Sequence, residues 1–415
     1  MTIIEFFDKT AIENMLSALL CKPDRVVYIG HNRKQIEKCL EAYREVLTTR
    51  GLKVELRAKS LNRNNLQRIV QDLSEIVEQD ENCVFNLDGG EELYLVAVGM
   101  VAQMYPGRVA LHRFNIRNNT MIDCDADGND QLREPIRISV PENIRIYGGR
   151  VLTVDEHKDG MYPWDFNETF RRDLMTLWEI CCRYPRTWNS TVSTLGCVDQ
   201  WFPHEDPRGF HAVRSVAEPV LAAHDEWYSI NLAILKALED AKLISWLTAS
   251  DEEAEFIFKN QQVKRALSKA GQVLELMVTM AALDAMEEDG TPVYDDVRCG
   301  VYIDWDGLTG PEAPVEVANE IDVFLMKGAV PVFISCKNGT VTRDELFMLD
   351  TVARRFGDKY AKKVLVATQL DKQGSKGRYI RARAEEMDIR IIDNLDDMTY
   401  DQMKKEMKCL WLNSK

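Results

Sequence analysis

Up to Phe114 the chain alternates short apolar runs with amphipathic stretches, and few folds accommodate that pattern. Strands are predicted at Val26–Ile29, Leu52–Leu56, Cys83–Leu87 and Val109–Phe114. Helices are predicted between them, to about Thr49, from Asn64 to Gln79 and from Glu91 to Gln103. Strands that return through helices lie parallel, so the expectation is an α/β unit with a parallel sheet covered on both faces. Ligands of such sheets bind beyond the carboxyl ends of the strands. The loops there are Gly30-His31-Asn32-Arg33 and Asp88-Gly89-Gly90-Glu91, both glycine-bearing turns from strand into helix. Gly30, His31, Asn32, Asp88, Gly89 and Gly90 are therefore the candidate ligand contacts. The plainer alternatives are helix capping by His31 or Asn32 and a merely tight connection at the glycine pair.

With 415 residues the chain exceeds what one core supports, and three parts are expected. Residues 1–150 form the sheet domain, 151–260 a mainly helical connector, and 261–415 a second α/β domain. The connector is rich in tryptophan (Trp164, Trp178, Trp188, Trp201, Trp227, Trp246), and its helix-then-hairpin pattern from Leu235 to Phe258 is winged-helix-like. No apolar run nears the ~18 residues needed to cross a bilayer, and no basic leader precedes an apolar stretch, so a cytoplasmic protein with no membrane contact is expected. Ten cysteines at irregular spacing suit reduced thiols better than a disulfide framework or a zinc ribbon. A net charge of -15 argues against general adhesion to nucleic acid, so any such contact must be local. One stretch offers it: Lys372, Lys376, Arg378, Arg381 and Arg383 follow one another with no acid between them. Lys372, Lys376 and Arg378 are the candidate nucleic-acid contacts, the alternative being a solvated helix face.

The chemistry is concentrated in a hairpin around Lys327-Gly328-Ala329-Val330, where glycine at the first central position suits a type II′ turn. If Lys327 faces Val330, Asp322 faces Ser335 and Glu320 faces Lys337. Alternation then puts those four on one face and Ile321, Val323, Leu325, Val332, Ile334 and Cys336 on the other, one face a site and one a core. The preceding helix, Ala270 to Leu283, is apolar almost all round, with Glu275 its sole ionisable residue. A buried lone carboxylate is costly unless paired or coordinated, which makes Glu275 a ligand candidate beside Asp322. Carboxylates from a helix and a strand next to a lysine suit phosphodiester hydrolysis with a divalent metal, Mn²⁺ or Mg²⁺. Asp322, Lys337, Glu275 and Glu320 are the candidate catalytic residues, and Glu275 and Asp322 the candidate metal ligands.

Glu275, Asn319-Glu320-Ile321-Asp322-Val323 and Ile334-Ser335-Cys336-Lys337 resemble, in order and hairpin context, the PD-(D/E)xK nuclease signature. Behind an N-terminal sheet domain, they resemble more closely the CRISPR-associated Rossmann fold (CARF) nucleases. That resemblance implies a Rossmann-like sensor, a restriction-endonuclease-like C-terminal domain, and cleavage of RNA or DNA activated by cyclic oligoadenylate in antiviral defence. Several members read Glu-Cys-Lys where this chain has Ser335-Cys336-Lys337, so the missing carboxylate falls to Glu275 or Glu320. The turn Asn86-Leu87-Asp88-Gly89-Gly90-Glu91-Glu92 keeps the family's glycines, with acids where the family has neutral or basic residues. The resemblance further implies a homodimer sharing one activator across a two-fold axis. Two other readings compete: a ligand-responsive transcription regulator with a vestigial nuclease site, and an enzyme whose first domain degrades its own ligand.

Overall fold

A five-residue strand, β1 (Thr2–Phe6), lies in the middle of the first sheet. The computed structural model describes residues 1–116, 119–124, 130–131, 135–156, 160–308 and 319–412. After β1 come α1 (Glu13–Cys21), β2 (Arg25–Gly30), α2 (Arg33–Thr49), β3 (Glu55–Ser60), α3 (Leu66–Glu78), β4 (Cys83–Asn86), α4 (Glu92–Met104), β5 (Val109–Asn115), β6 (Thr120–Asp123) and β7 (Asp130–Gln131). The sheet order is β3-β2-β1-β4-β5-β6-β7. The first five strands are parallel as expected, whereas β6 and β7 are antiparallel additions at one edge.

The alternation did not reveal β1, because Glu5 interrupts its apolar run. Asn86 Nδ2 on β4 donates to Glu5 Oε1 at 2.6 Å, and burial raises the Glu5 pKa well above the ordinary carboxylate value. A protonated, hydrogen-bonded acid is compatible with a central strand. The chain order reverses between β1 and β4, so the loops after these two strands border the crevice of the sheet.

The middle of the chain supplies α5 (Val140–Ile146), β8 (Arg150–Leu152), α6 (Glu168–Arg183), α7 (Trp188–Trp201), β9 (Gly209–Val213), α8 (Arg214–Ala222), α9 (Leu232–Asp240), β10 (Ile244–Ala249), β11 (Glu253–Phe258) and α10 (Gln261–Ala266). The expected helix-then-hairpin is α9, β10 and β11, and β9 completes a three-stranded sheet in the order β10-β11-β9. Of the connector tryptophans, Trp178 and Trp188 are buried, while Trp227 and Trp246 are exposed.

The last part contains α11 (Gln272–Leu283), β12 (Asp296–Asp304), β13 (Asn319–Lys327), β14 (Val330–Lys337), α12 (Arg343–Gly357), β15 (Lys362–Ala367), α13 (Ser375–Glu386), β16 (Ile389–Ile392) and α14 (Tyr400–Lys408). The apolar pattern of the sequence predicts a strand over Val315 to Phe324, and its first residues, 315–318, lie outside the described residues. The sheet order is β16-β15-β14-β13-β12-β8. Its edge strand β8 comes from far earlier in the chain and pairs antiparallel with β12. The second sheet thus draws on a segment that the sequence assigned to the boundary between sensor and connector.

Three apolar clusters hold these layers together. One lies between the first sheet and α3 with α4. A second is shared by the two large sheets, joining Ile3, Tyr28 and the helices α1, α2 and α5 to Phe324, Phe333, α12 and Leu365. The third covers the opposite face of the second sheet with α6, α11, α14 and the connector. Polar contacts reinforce the shared layer: Thr10 Oγ1 donates to Asp358 Oδ2 at 3.0 Å, Asn143 Nδ2 to the Phe356 carbonyl at 2.7 Å, and Lys359 pairs with Glu13 at 2.9 Å.

Candidate active site

The β13–β14 hairpin turns at Gly328, whose φ of +59° is the left-handed value that the first turn position requires. Lys327 faces Val330, and the ladder continues to Val323 opposite Ile334. There the backbone pairing stops. Asp322 Oδ2 takes the Cys336 amide at 2.6 Å and the Ser335 hydroxyl at 3.3 Å, so the carboxylate occupies the place of the next ladder bond. Beyond this point β14 belongs to β15, with Lys337 opposite Ala367. Asp322 therefore meets Ser335 as expected, but Glu320 does not pair with Lys337. Glu320 is bonded to Lys269, and Lys337 Nζ lies 3.5 Å from Glu345 Oε1 on α12.

The division into a site face and a core face also needs correction. Phe324, Met326 and Phe333 on the nominal site face are fully buried, because the second sheet is covered on both sides. Alternation reverses across Asp322 itself. Val323 and its partner Cys299 pack under α11, whereas Ile321 and its partner Val301 pack toward the first sheet. Opposite Asp322, between Cys299 and Val301, Gly300 has a φ of +61°, a twist of β12 that only glycine makes readily.

The reversal gathers Glu275, Glu320 and Asp322. One ligand oxygen from each lies within 4.8 Å of the others, and among the described residues they form the one group of three acid, histidine or cysteine ligands so placed. Glu275 is 3% exposed on α11 and accepts Gln272 Nε2 at 3.0 Å. Burial, then the neighbouring Asp322, raises its pKa to about 8 against the pull of Lys269. Burial also raises Asp322, with Lys337 opposing. Lys337 shifts upward because Asp322 and Glu345 outweigh its desolvation. Lys269 shifts upward despite larger desolvation, through Glu275 and Glu320. Three hard oxygen donors gathered this closely fit a small divalent cation such as Mg²⁺ or Mn²⁺.

Sequence reasoning missed Lys269 and Glu345. Lys269 lies in the turn between α10 and α11, outside any periodic pattern. Glu345 stands in the first turn of α12, where it also accepts the Thr342 amide at 2.7 Å and so serves as a helix cap.

In the first domain, Gly89 and Gly90 border the β1–β4 crevice. At Gly90 φ is +99°, and a Cβ would lie 2.9 Å from the Phe6 ring. Gly30 is less constrained, its nearest neighbour being Ile36 at 3.4 Å. Asn32 caps α2, accepting the Gln35 amide at 3.2 Å, and His31 Nδ1 lies 3.7 Å from Glu91 Oε1. Arg63 reaches the same Glu91 oxygen at 2.8 Å, which offsets an acid at the mouth of the crevice. Asp88 turns inward to the Phe114 amide, and burial raises its pKa to about 7.

The basic stretch is less isolated in space than in sequence. Lys372 pairs with Asp396, Arg381 with Asp371 and Asp393, and Arg383 with Glu386. Lys376 and Arg378, on the first turn of α13, are exposed and form no ion pair among the described residues.

No sequence family model matches the chain, and no curated protein matches it. Solved structures share its fold along nearly its whole length. Protein VC1899 from Vibrio cholerae superposes with a TM-score of 0.67 at 18% identity, covering 98% of this chain and 96% of that one. Can2 from Sulfobacillus thermosulfidooxidans, solved in complex with cyclic tetra-adenylate, superposes with a TM-score of 0.64 at 14% identity, covering 98% and 99%. Both likenesses extend over 98% of this chain and so show a shared fold.

Proposed function

We infer that the chain is a metal-dependent nuclease cleaving RNA or DNA phosphodiesters, switched on by a cyclic oligoadenylate at the β1–β4 crevice in type III CRISPR antiviral defence. The observation that carries this reading is the convergence of Glu275, Glu320 and Asp322 beside Lys337. A divalent cation held by these carboxylates would polarise the scissile phosphate and lower the pKa of a bound water. Asp322 is fixed by the Cys336 amide, so it presents its remaining oxygen in one orientation. Lys337, held charged, orients the attacking water or meets the negative charge that builds on the phosphate. Exposed Lys376 and Arg378 offer a backbone contact for the substrate.

The activator assignment rests on the glycine-lined crevice, on the α4 N-terminus beside it, and on the fold shared with a protein solved in complex with cyclic tetra-adenylate. A homodimer fits the α4 surface, where Leu93, Val96, Met100 and Met104 fall on one exposed side. The test incubates the protein with cyclic oligoadenylates of several ring sizes, labelled RNA and DNA, and Mn²⁺ or Mg²⁺. Activator-dependent cleavage that disappears in Asp322→Asn and Lys337→Ala is expected. Binding of a specific duplex without cleavage under every condition would favour the regulator reading instead.

A further inference from the structure

Lys269 stands where no sequence pattern placed a functional group. Its ammonium is bonded to Glu320 Oε1 and lies 3.4 Å from Glu275 Oε1, touching two of the three carboxylates of the cluster. The side chain is 37% exposed, so it reaches the buried acids from the surface and has a way back out. Its backbone is held by α7. A Cβ on Gly196 would collide with the Ser268 carbonyl, so only glycine there lets the turn before Lys269 sit against the helix. Two helical turns earlier on the same face of α7, Asn189 exchanges hydrogen bonds with Asn338, the residue after Lys337. One connector helix thus rests against the chain beside both lysines of the site.

We propose that Lys269 is the resident cation of the carboxylate cluster, and that a divalent metal enters only as the Lys269 ammonium swings out. The proposal rests on the metal-site reading above. Three carboxylates this close together, with Glu275 buried, need positive charge nearby, and Lys269 supplies it at contact distance. A divalent ion coordinated by Glu275 and Glu320 would lie against that same ammonium, and the repulsion penalises joint occupancy. Lysine and metal are therefore competing ligands of one anionic site, and by linkage each weakens the other. Lys337 is not in the same position, since it leans toward Glu345 and leaves the Glu275–Glu320 side open.

The experiment titrates Mn²⁺ into the full chain without nucleic acid, by calorimetry, for wild type, Lys269→Met, Lys269→Arg and Asp322→Asn. Loss of the ammonium is expected to tighten Mn²⁺ binding roughly tenfold in Lys269→Met, with Lys269→Arg staying near wild type. Metal-free Lys269→Met is expected to melt below wild type and to gain more from Mn²⁺ than wild type does. Lys269→Gln, which keeps a donor for Glu320, serves if the methionine variant does not fold. Equal or weaker Mn²⁺ binding in the neutral variants, with wild-type binding present and lost in Asp322→Asn, overturns the role of Lys269 while leaving the metal site standing. Absence of Mn²⁺ binding in every protein, wild type included, overturns the site and this proposal together.

Discussion

Each large sheet buries a cluster of acids, and the two clusters are balanced in different ways. In the first sheet, Glu5 is raised far above its ordinary pKa and bonded to neutral Asn86, while Asp88 is bonded to a backbone amide. In the second, burial also raises Glu275 and Asp322, but side-chain cations stand beside the acids, Lys269 at Glu275 and Glu320 and Lys337 at Asp322. A proton and a hydrogen bond make a sealed structural unit. A lysine can be exchanged for another cation, so the second cluster suits a site that must accept a metal.

The sharpest way to break this comparison is to neutralise one acid in each cluster. Glu275→Gln is expected to reduce cleavage by about 10²-fold or more and to abolish high-affinity Mn²⁺ binding. Glu5→Gln, which mimics the protonated acid, is expected to leave cleavage within about twofold. Comparable losses in both variants would erase the distinction.

Next in size is Asn86→Ala, which removes the Asn86 donor from Glu5 and is expected to cost about 1–3 kcal/mol of stability. Denaturant unfolding measures this directly. An unchanged midpoint would show that the Glu5–Asn86 pair does not act as a sealed unit.

A smaller effect follows from pH. The metal-free fold holds the Glu275 proton to about pH 8, against an ordinary value of 4.5. The unfolded chain releases that proton first as pH rises, so the contribution of Glu275 to stability is complete below about 4.5 and is lost as pH passes through about 8. Metal coordination needs the carboxylate, so Mn²⁺ affinity is expected to climb through the same window and level off above it. Thermal melts with and without Mn²⁺ should converge at the acid end. A pH-independent gap between them would refute the assignment.

The smallest expected effect lies at the surface. Lys376→Ala and Arg378→Ala should each lower the salt dependence of nucleic-acid binding by about one unit of slope while changing stability by less than about 0.5 kcal/mol. Unaltered salt slopes would return that helix face to the solvent.

How far the sequence discloses this molecule differs between its parts. The hairpin register was legible as far as Asp322 because a two-residue turn leaves one pairing. It failed at Glu320 because a side chain replaced the ladder there, and alternation carries no sign of that. Glu275 was legible as the one charge on an apolar helix. Lys269 was not, since a lysine in a turn looks like any solvated residue until the fold brings it to two acids. Strand β1 was hidden by Glu5, and β8 by its three-residue length and the distance in sequence to its partner.

The layer between the two sheets bears on how the chain tolerates being cut. Strand β8 belongs to the second sheet, yet α5 before it packs on β12 and β13, and α1 and α2 belong to the same apolar cluster. A fragment beginning at β8 would keep its edge strand and expose the apolar side of Phe324, Phe333 and Phe356. A fragment ending at α5 would expose the complementary surface of Met15, Tyr43 and Ile144. Neither piece is a self-sufficient folding unit, so truncation at this seam should yield aggregation rather than two free domains. A proteolytic nick in the same place should leave the two pieces associated, held by burial rather than by the peptide bond.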